Sequence, residues 1–303
     1  MRANNENQND LITIGELSKK TGVNSVTLRA WERRYGLLKP TRTPKGHRLY
    51  SQSDIEYVMT VLAWLNKGIA VSKVKPLMDT NTIYTNERDE NNDAWEQYIQ
   101  EFHKSSLDYN EQKVDAVFNK LNKQYPFETL MKFCFTSIFE SFDNSPDVDS
   151  THYFLCKCLK QRLVLMLLRL SKANNKKATS SPMIVLFSLT QDSLWKIWSA
   201  AIWLADKGFI VHVFDDIKTI EIANQLTNKL KPTVSLCFSQ GNHKTITQDA
   251  ILNYQGIDFL TGSDFWLKKS ELLNQQSRLQ IFYQPIDVAY EIFIKYQTQL
   301  ENN

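Results

Sequence analysis

Hydrophobic positions along this 303-residue chain change their spacing twice, and each change marks a new kind of structure. Between Leu11 and Met78 they recur in short helical bursts. ITIGELSKKTG predicts a helix with Ile14 and Leu17 on one face, Thr13 as N-cap, Glu16 completing a capping box and Gly22 past the end. A tight turn leads to a second helix, capped by Asn24 or Ser25, with Val26, Leu28 and Trp31 as apolar contacts and Gly36 as its stop. Pro40, Pro44 and Gly46 bar a helix through LKPTRTPKGHRLY, which reads as two short strands around a Pro-Lys-Gly turn, a wing. Helical spacing resumes after a Ser51 cap, with Asp54 in the first turn and Ile55, Val58, Met59, Leu62 and Leu65 as the apolar set, as far as about Lys67. A last helix, Val71 to Met78, closes the unit. Two short helices joined by a Gly-containing turn form a helix-turn-helix.

Residues 79–93 are polar and aperiodic, and read as a linker. Residues 94–170 carry long amphipathic helical patterns without a single Gly, which suits a helical bundle. A second linker is expected over 171–182. From 183 onward short apolar runs alternate with helical segments. MIVLFSL (183–189), IVHVFD (210–215), TVSLCFS (233–239), IDFLTG (257–262) and IFYQ (281–284) read as strands. Helices are expected over 191–207, 219–230, 245–254, about 264–276 and at the C-terminal end. Such alternation implies a flavodoxin-like, doubly wound parallel sheet of five strands over 183–303. The fold class is therefore multi-domain α and α/β, with a winged helix-turn-helix (11–78), a bundle and a Rossmann-like domain.

Composition adds an asymmetry. The net charge is +3, yet between Leu11 and Met78 twelve Lys and Arg face only four Asp and Glu. All of the excess positive charge lies in the first unit, which suggests a polyanionic partner for it. The longest apolar run, Leu163 to Leu168, is too short to span a bilayer, and MRANNENQND has no apolar signal region, so a cytoplasmic location without a membrane partner is expected. Cys134, Cys156, Cys158 and Cys237 form no Cys-x-x-Cys pair and read as reduced structural thiols, with no metal site.

The charge concentrates in Thr27 to Tyr50, TLRAWERRYGLLKPTRTPKGHRLY, where Glu32 is the only acid. Like charges on a helix and the adjacent loop repel one another unless an anion binds. TIGELSKKTGV together with TLRAWERRYGLLKPTRTPKGHRLYSQSDI resembles the DNA-binding domain of the MerR family of transcription regulators. It resembles most closely the branch of cobalamin-dependent, light-responsive carotenoid repressors. The resemblance implies a second helix lying in the major groove of duplex DNA. Asn24, Ser25 and Thr27 near its start then reach bases or phosphates, and Arg29 and Arg33, four apart on one face, grip bases or backbone. Arg34 reads as a phosphate contact or as an ion-pair partner of Glu32. Arg42, Lys45, His47 and Arg48 in the wing clamp flanking phosphates. Tyr35 and Tyr50 are candidates for the interface or for packing of the wing, and Trp31 belongs to the core.

The same branch carries a helical bundle and then a cobalamin-binding parallel domain, in the order seen here. Its ligand loop holds an acid, a His that coordinates cobalt, and a Gly. The corresponding loop here is LTQDSLWKIW, with Gln191 for the acid, Ser193 for the His and no Gly. Hydroxyl is a poor cobalt ligand compared with imidazole. Trp195 and Trp198 would crowd the nucleotide tail, and Thr261-Gly262-Ser263 matches the family's paired Gly only in part. In the bundle, His152 is preceded by Thr151 where the light sensors have Glu, and Phe139 or Phe142 stands for their Trp. His152 reads as an ordinary bundle residue, His212 as structural, and His103 and His243 as surface residues.

No cofactor is therefore predicted, although cobalamin remains the ligand that the resemblance itself suggests. Ser193, Asp215, Thr261 and Gly262 mark the candidate ligand cleft at the strand ends, with Asp215-Asp216 read as a solvated loop end. No Gly-rich phosphate loop is present. The expectation is a non-enzymatic regulator that binds a double-stranded operator as a homodimer or higher homo-oligomer. Its C-terminal region would mediate assembly or sensing, through another protein or a small molecule.

Overall fold

The computed structural model describes residues 11–80, 88–145, 149–177, 181–215, 217–241, 258–275 and 280–301. The helix expected over 245–254, together with Asp216 and His243, lies outside them. The chain divides into two compact units, Met1–Cys158 and Leu159–Asn303. The winged head and the helices after it thus count as one body, where composition suggests two.

In the head, α1 (Ile14–Thr21) starts on the Thr13–Glu16 capping box and stops at Gly22, whose φ of 72° is left-handed. Helix α2 (Ser25–Ala30) begins at Asn24, whose side chain accepts from the Val26 N–H, and runs directly into a π-helical turn, Trp31–Tyr35. The wing holds three strands, one more than expected. Strand β3 (Arg48–Tyr50) lies between β2 (Thr41–Arg42) and β1 (Ile12–Thr13), antiparallel to both. Two residues of β1 are too few to show an alternation. Helix α3 (Gln52–Asn66) starts on a Ser51–Asp54 capping box, and α4 spans Val71–Thr80. Leu17, Leu28, Trp31, Tyr50, Val58, Val61, Leu65 and Val74 form the core, all fully buried. Met59, expected on the apolar face of α3, is exposed, and Val61 is buried instead.

The bundle comprises α5 (Arg88–Ser106), α6 (Glu111–Asn122), α7 (Phe127–Leu130) and α8 (Thr136–Asn144), with α9 (Ser150–Lys177) after it; a second π-helical turn, Met131–Phe135, joins α7 to α8. It meets the head at the turn between α3 and α4. The Trp95 indole N–H donates to the Gly68 carbonyl at 2.6 Å, and Tyr98, Tyr125 and Phe133 pack around Trp95. The Tyr125 hydroxyl accepts from the Val71 N–H at 3.4 Å, and burial pushes its titration far above the ordinary tyrosine range. The boundary between the units falls within α9. Residues 171–177, expected to be linker, continue this helix, because Ser171 donates to the Val211 carbonyl and Asn174 to those of Ala205 and Phe209.

The second unit is a parallel sheet ordered β5-β4-β6-β7-β8, formed by β4 (Met183–Ser188), β5 (Ile210–Phe214), β6 (Val234–Phe238), β7 (Phe259–Thr261) and β8 (Gln280–Phe282). This is the flavodoxin-like order, with its switch point between β4 and β6. Helix α10 (Leu194–Asp206) is buried nearly all round, because α14 (Pro285–Glu301) lays Tyr290 and Phe293 against Trp203. A separate core cluster gathers Val185, Phe187, Ile220, Leu260, Phe265 and Ile281, with contributions from α11 (Ile220–Leu230), α12 (Ser263–Leu267) and α13 (Lys269–Gln275). Cys134, Cys156, Cys158 and Cys237 are free and buried, and burial pushes the Cys134 thiol up to about 12. Among the described residues no helix is long and apolar enough to cross a membrane, and no group of three His, Cys, Asp or Glu could hold a metal.

Gly68 is closely packed between head and bundle. Its φ is 88°, and a Cβ there would lie 3.2 Å from a Phe133 ring carbon. Gly68→Ala should therefore lower stability by about 1–2 kcal/mol from the left-handed backbone alone, with crowding in addition. Urea unfolding of the full chain measures it, and an unchanged midpoint would contradict the packing.

Candidate nucleic-acid interface

The recognition segment is the continuous helical stretch Ser25–Tyr35, and its residues divide cleanly by burial. Val26, Arg29, Arg33 and Arg34 are exposed, while Thr27, Leu28, Ala30 and Trp31 are buried. Arg29 and Arg33 lie one helical turn apart, and Arg33 Nε donates weakly to the Arg29 carbonyl at 3.4 Å. The exposed face presents two guanidiniums suited to guanine edges or phosphates. Asn24 caps the helix through Oδ1, 2.9 Å from the Val26 N–H, and Ser25 is half-buried beside it.

Three of the expected contacts take other positions. Thr27 is 2% exposed and faces the interior of the head, so it is withdrawn from any surface ligand. Tyr50 is fully buried at the end of β3, and it belongs to the wing's packing. Tyr35 is half-buried and gives its hydroxyl to Gln124 Oε1 at 2.7 Å; burial, and secondarily Tyr98, raises its pKa. Trp31 is core, as expected.

The wing turns at Gly46, whose φ of 83° has open space around it, so conformation alone asks for glycine there. Thr43 closes the turn by accepting from the Gly46 and His47 backbone N–H groups, and Lys45 and His47 stand exposed at the tip. Arg42 and Arg48 are directly opposed across the strand pair. Two like charges in that register repel. Glu32, reaching from the recognition helix, resolves the conflict by accepting from Arg48 Nε at 2.5 Å and Arg42 Nη2 at 3.0 Å. Of the two roles read for Arg34, phosphate contact or partner of Glu32, the second is taken by the wing, since Glu32 is bridged to Arg42 and Arg48. Its cause is register: β2 and β3 bring both wing arginines to one carboxylate. Burial is the largest single influence on Glu32 and raises its pKa, but the two guanidiniums together outweigh it and hold the group below the ordinary carboxylate value.

At the second unit's candidate cleft, several described side chains bond to one another. Ser193, at φ 52° and 5% exposed, accepts from Gln240 Nε2 at 3.0 Å, and Gln240 Oε1 accepts from Lys196 at 3.1 Å. Gln191 donates to the Asp215 carbonyl, and Asp215 is half-buried. Thr261 and Gly262 are buried. A Cβ on Gly262 would lie 2.0 Å from the Ser239 carbonyl oxygen, and Ser239 Oγ donates to Asp264 at 2.7 Å. In the bundle, His152 Nε2 lies 3.1 Å from the Ile138 carbonyl, and its ring packs edge-on against His103. His103 is therefore half-buried, not a surface residue, and burial followed by His152 lowers its pKa. His212 is exposed on β5.

A helix-turn-helix with an exposed cationic second helix and a basic wing pinned to it defines a winged DNA-binding head. Residues 12–81 match the family model described as the MerR HTH family regulatory protein, and the N-terminal domain is of that type. Over 73 residues the chain is 49% identical to the HTH-type transcriptional regulator MlrA of Escherichia coli (strain K12), covering 24% of this chain and 30% of that protein. It is 37% identical over 65 residues to the HTH-type transcriptional repressor CarH of Myxococcus xanthus, covering 22% of each. It is 35% identical over 65 residues to the mercuric resistance operon regulatory protein of Bacillus cereus, covering 22% of this chain and 49% of that one. The chain thus spans under a third of the length of the first of these relatives.

Glu32 makes the wing pH-sensitive. With its folded pKa held below the unfolded value near 4.5, its contribution is full above that value and is lost as pH falls through the lowered folded pKa. Glu32→Gln should lower the melting temperature at neutral pH, and the gap from wild type should narrow progressively as pH falls below about 4.5. A gap that persists undiminished at pH 3 would contradict the bridge.

Proposed function

We propose that the chain is a sequence-specific, DNA-binding transcriptional regulator of the MerR type that grips a duplex operator as a homodimer in the cytoplasm, without catalytic activity. The carrying observation is the exposed Arg29–Arg33 face of a helix whose opposite side is buried in the head. One helix of this size reads few base pairs, so a second copy on a two-fold site supplies the rest. Arg29 and Arg33 read bases, while Lys45, His47 and the wing arginines set the position on phosphates. Arg42 and Arg48 reach the backbone while remaining paired to Glu32. The similar proteins, a transcriptional regulator and a transcriptional repressor among them, support the same reading.

The C-terminal unit, in this reading, mediates assembly or sensing without cobalamin. The residues present do not fit that cofactor. Ser193 offers a hydroxyl where an imidazole is needed, is buried, and is already held by Gln240. Trp195 and Trp198, bulky where a small residue would leave room, are both buried in α10. A second reading, a different small-molecule effector at this sheet end, is favoured by one observation. The Thr261 hydroxyl is fully buried and finds no hydrogen-bond partner among the described residues.

DNA binding is tested by selecting operator fragments from a random duplex pool and titrating them with the full chain across a salt series. Affinity should fall steeply with salt. Arg33→Ala should cost about 1–3 kcal/mol at one operator position and much less on random duplex. Equal losses on both would remove its base-reading role, and no salt-sensitive affinity for any duplex would overturn the proposal. Separately, the absorption spectrum of the protein mixed with hydroxocobalamin should show no His-ligated cobalt. Co-elution of cobalamin with an imidazole-bound spectrum would refute the cofactor-free reading.

A further inference from the structure

Two side chains of the recognition helix turn away from its cationic face and meet one residue of the bundle. The Trp31 indole N–H donates to the Gln124 carbonyl oxygen, and the Tyr35 hydroxyl donates to Gln124 Oε1, each at 2.7 Å. Gln124 is 6% exposed and sits in the turn between α6 and α7. That turn is fixed, since the Gln124 and Tyr125 N–H groups both donate to the Leu121 carbonyl, at 2.8 and 2.9 Å. Trp31 and Tyr35 bound the π-helical turn. Its i→i+5 bonding lowers the rotation per residue, so residues four apart fall near one line and can reach a single partner.

Arg29 precedes Trp31 by two residues, which places it on the far side of the helix. The bundle therefore backs the recognition helix and leaves Arg29 and Arg33 exposed. Base reading by a guanidinium depends on bidentate geometry, so a small rotation of this helix moves its fork off a base edge. Phosphate contacts tolerate such a shift far better, because they carry little directional information. Glu32, next to Trp31 in the chain, ties the same helix to the wing through Arg42 and Arg48.

We infer that Gln124, a residue of the bundle that touches no DNA, is a positioning residue for operator recognition: it sets the rotation of the recognition helix through Trp31 and Tyr35. This rests on the DNA-binding reading above. Through the pair Tyr35–Gln124, a residue outside the helix-turn-helix contributes to specificity.

The test compares wild type, Tyr35→Phe, Gln124→Met and the double variant as full-length proteins, on a selected operator and on random duplex across a salt series. Each single variant should lose about 5–10-fold on the operator, with affinity for random duplex and the salt slope unchanged. The double variant should lose no more than either single one, because both substitutions remove the same hydrogen bond. Equal losses on both DNAs, additive losses, or no loss would overturn the inference while leaving DNA binding intact. Failure of the wild type to bind any duplex would instead remove the reading on which it rests. Circular dichroism confirms folding of each variant, and Tyr35→Phe, which removes one oxygen atom, remains informative if Gln124→Met does not fold.

Discussion

One carboxylate holds the DNA-binding head together as a tool. Glu32 stands between two arginines that the wing places face to face, and it belongs to the helix that carries the exposed arginines. Without it, the wing would have to separate Arg42 from Arg48 or bind an anion to keep them together. With it, the wing and the recognition helix share one geometry before DNA arrives. A rigid presentation of charge costs less ordering on binding than a set of free side chains would. The isolated acid in an otherwise basic stretch is thus the element that makes the stretch a surface of defined shape.

The head is also held from the side of the bundle, at the recognition helix and at the turn between α3 and α4. Trp31, Tyr35, Trp95 and Tyr125 bring polar atoms of aromatic side chains to backbone and amide groups of the facing element. Each such bond satisfies a buried group that would otherwise be costly. The contact therefore fixes a particular register, which apolar packing alone would specify less sharply. Head and bundle form one body for this reason, and a change in the bundle has a physical route to the recognition helix.

The second unit follows the doubly wound plan, with its switch point between β4 and β6. That is where such sheets admit ligands. Here Gln240, Ser193 and Lys196 are joined across that point, and Trp195 and Trp198 are buried in the helix that follows β4. What the fold is and what it binds are separate questions, and only the second depends on these few side chains.

Much of this was decided by local sequence. The capping boxes at Thr13–Glu16 and Ser51–Asp54, the stops at Gly22 and Gly36, the wing's Pro and Gly residues and the five apolar strands are short-range effects, and all appear where the residues place them. The exposed pair Arg29 and Arg33 was legible for the same reason, since helical spacing is local. Tertiary structure decided the rest. Thr27 and Tyr50 are polar enough for a surface and small or flat enough for a core, and only their neighbours put them inside. Arg42, Arg48 and Glu32 meet through strand register, and Tyr35 finds Gln124 across 89 residues of chain. No periodicity records a contact of that kind, because it depends on how two finished elements face each other and not on the order of residues within either one.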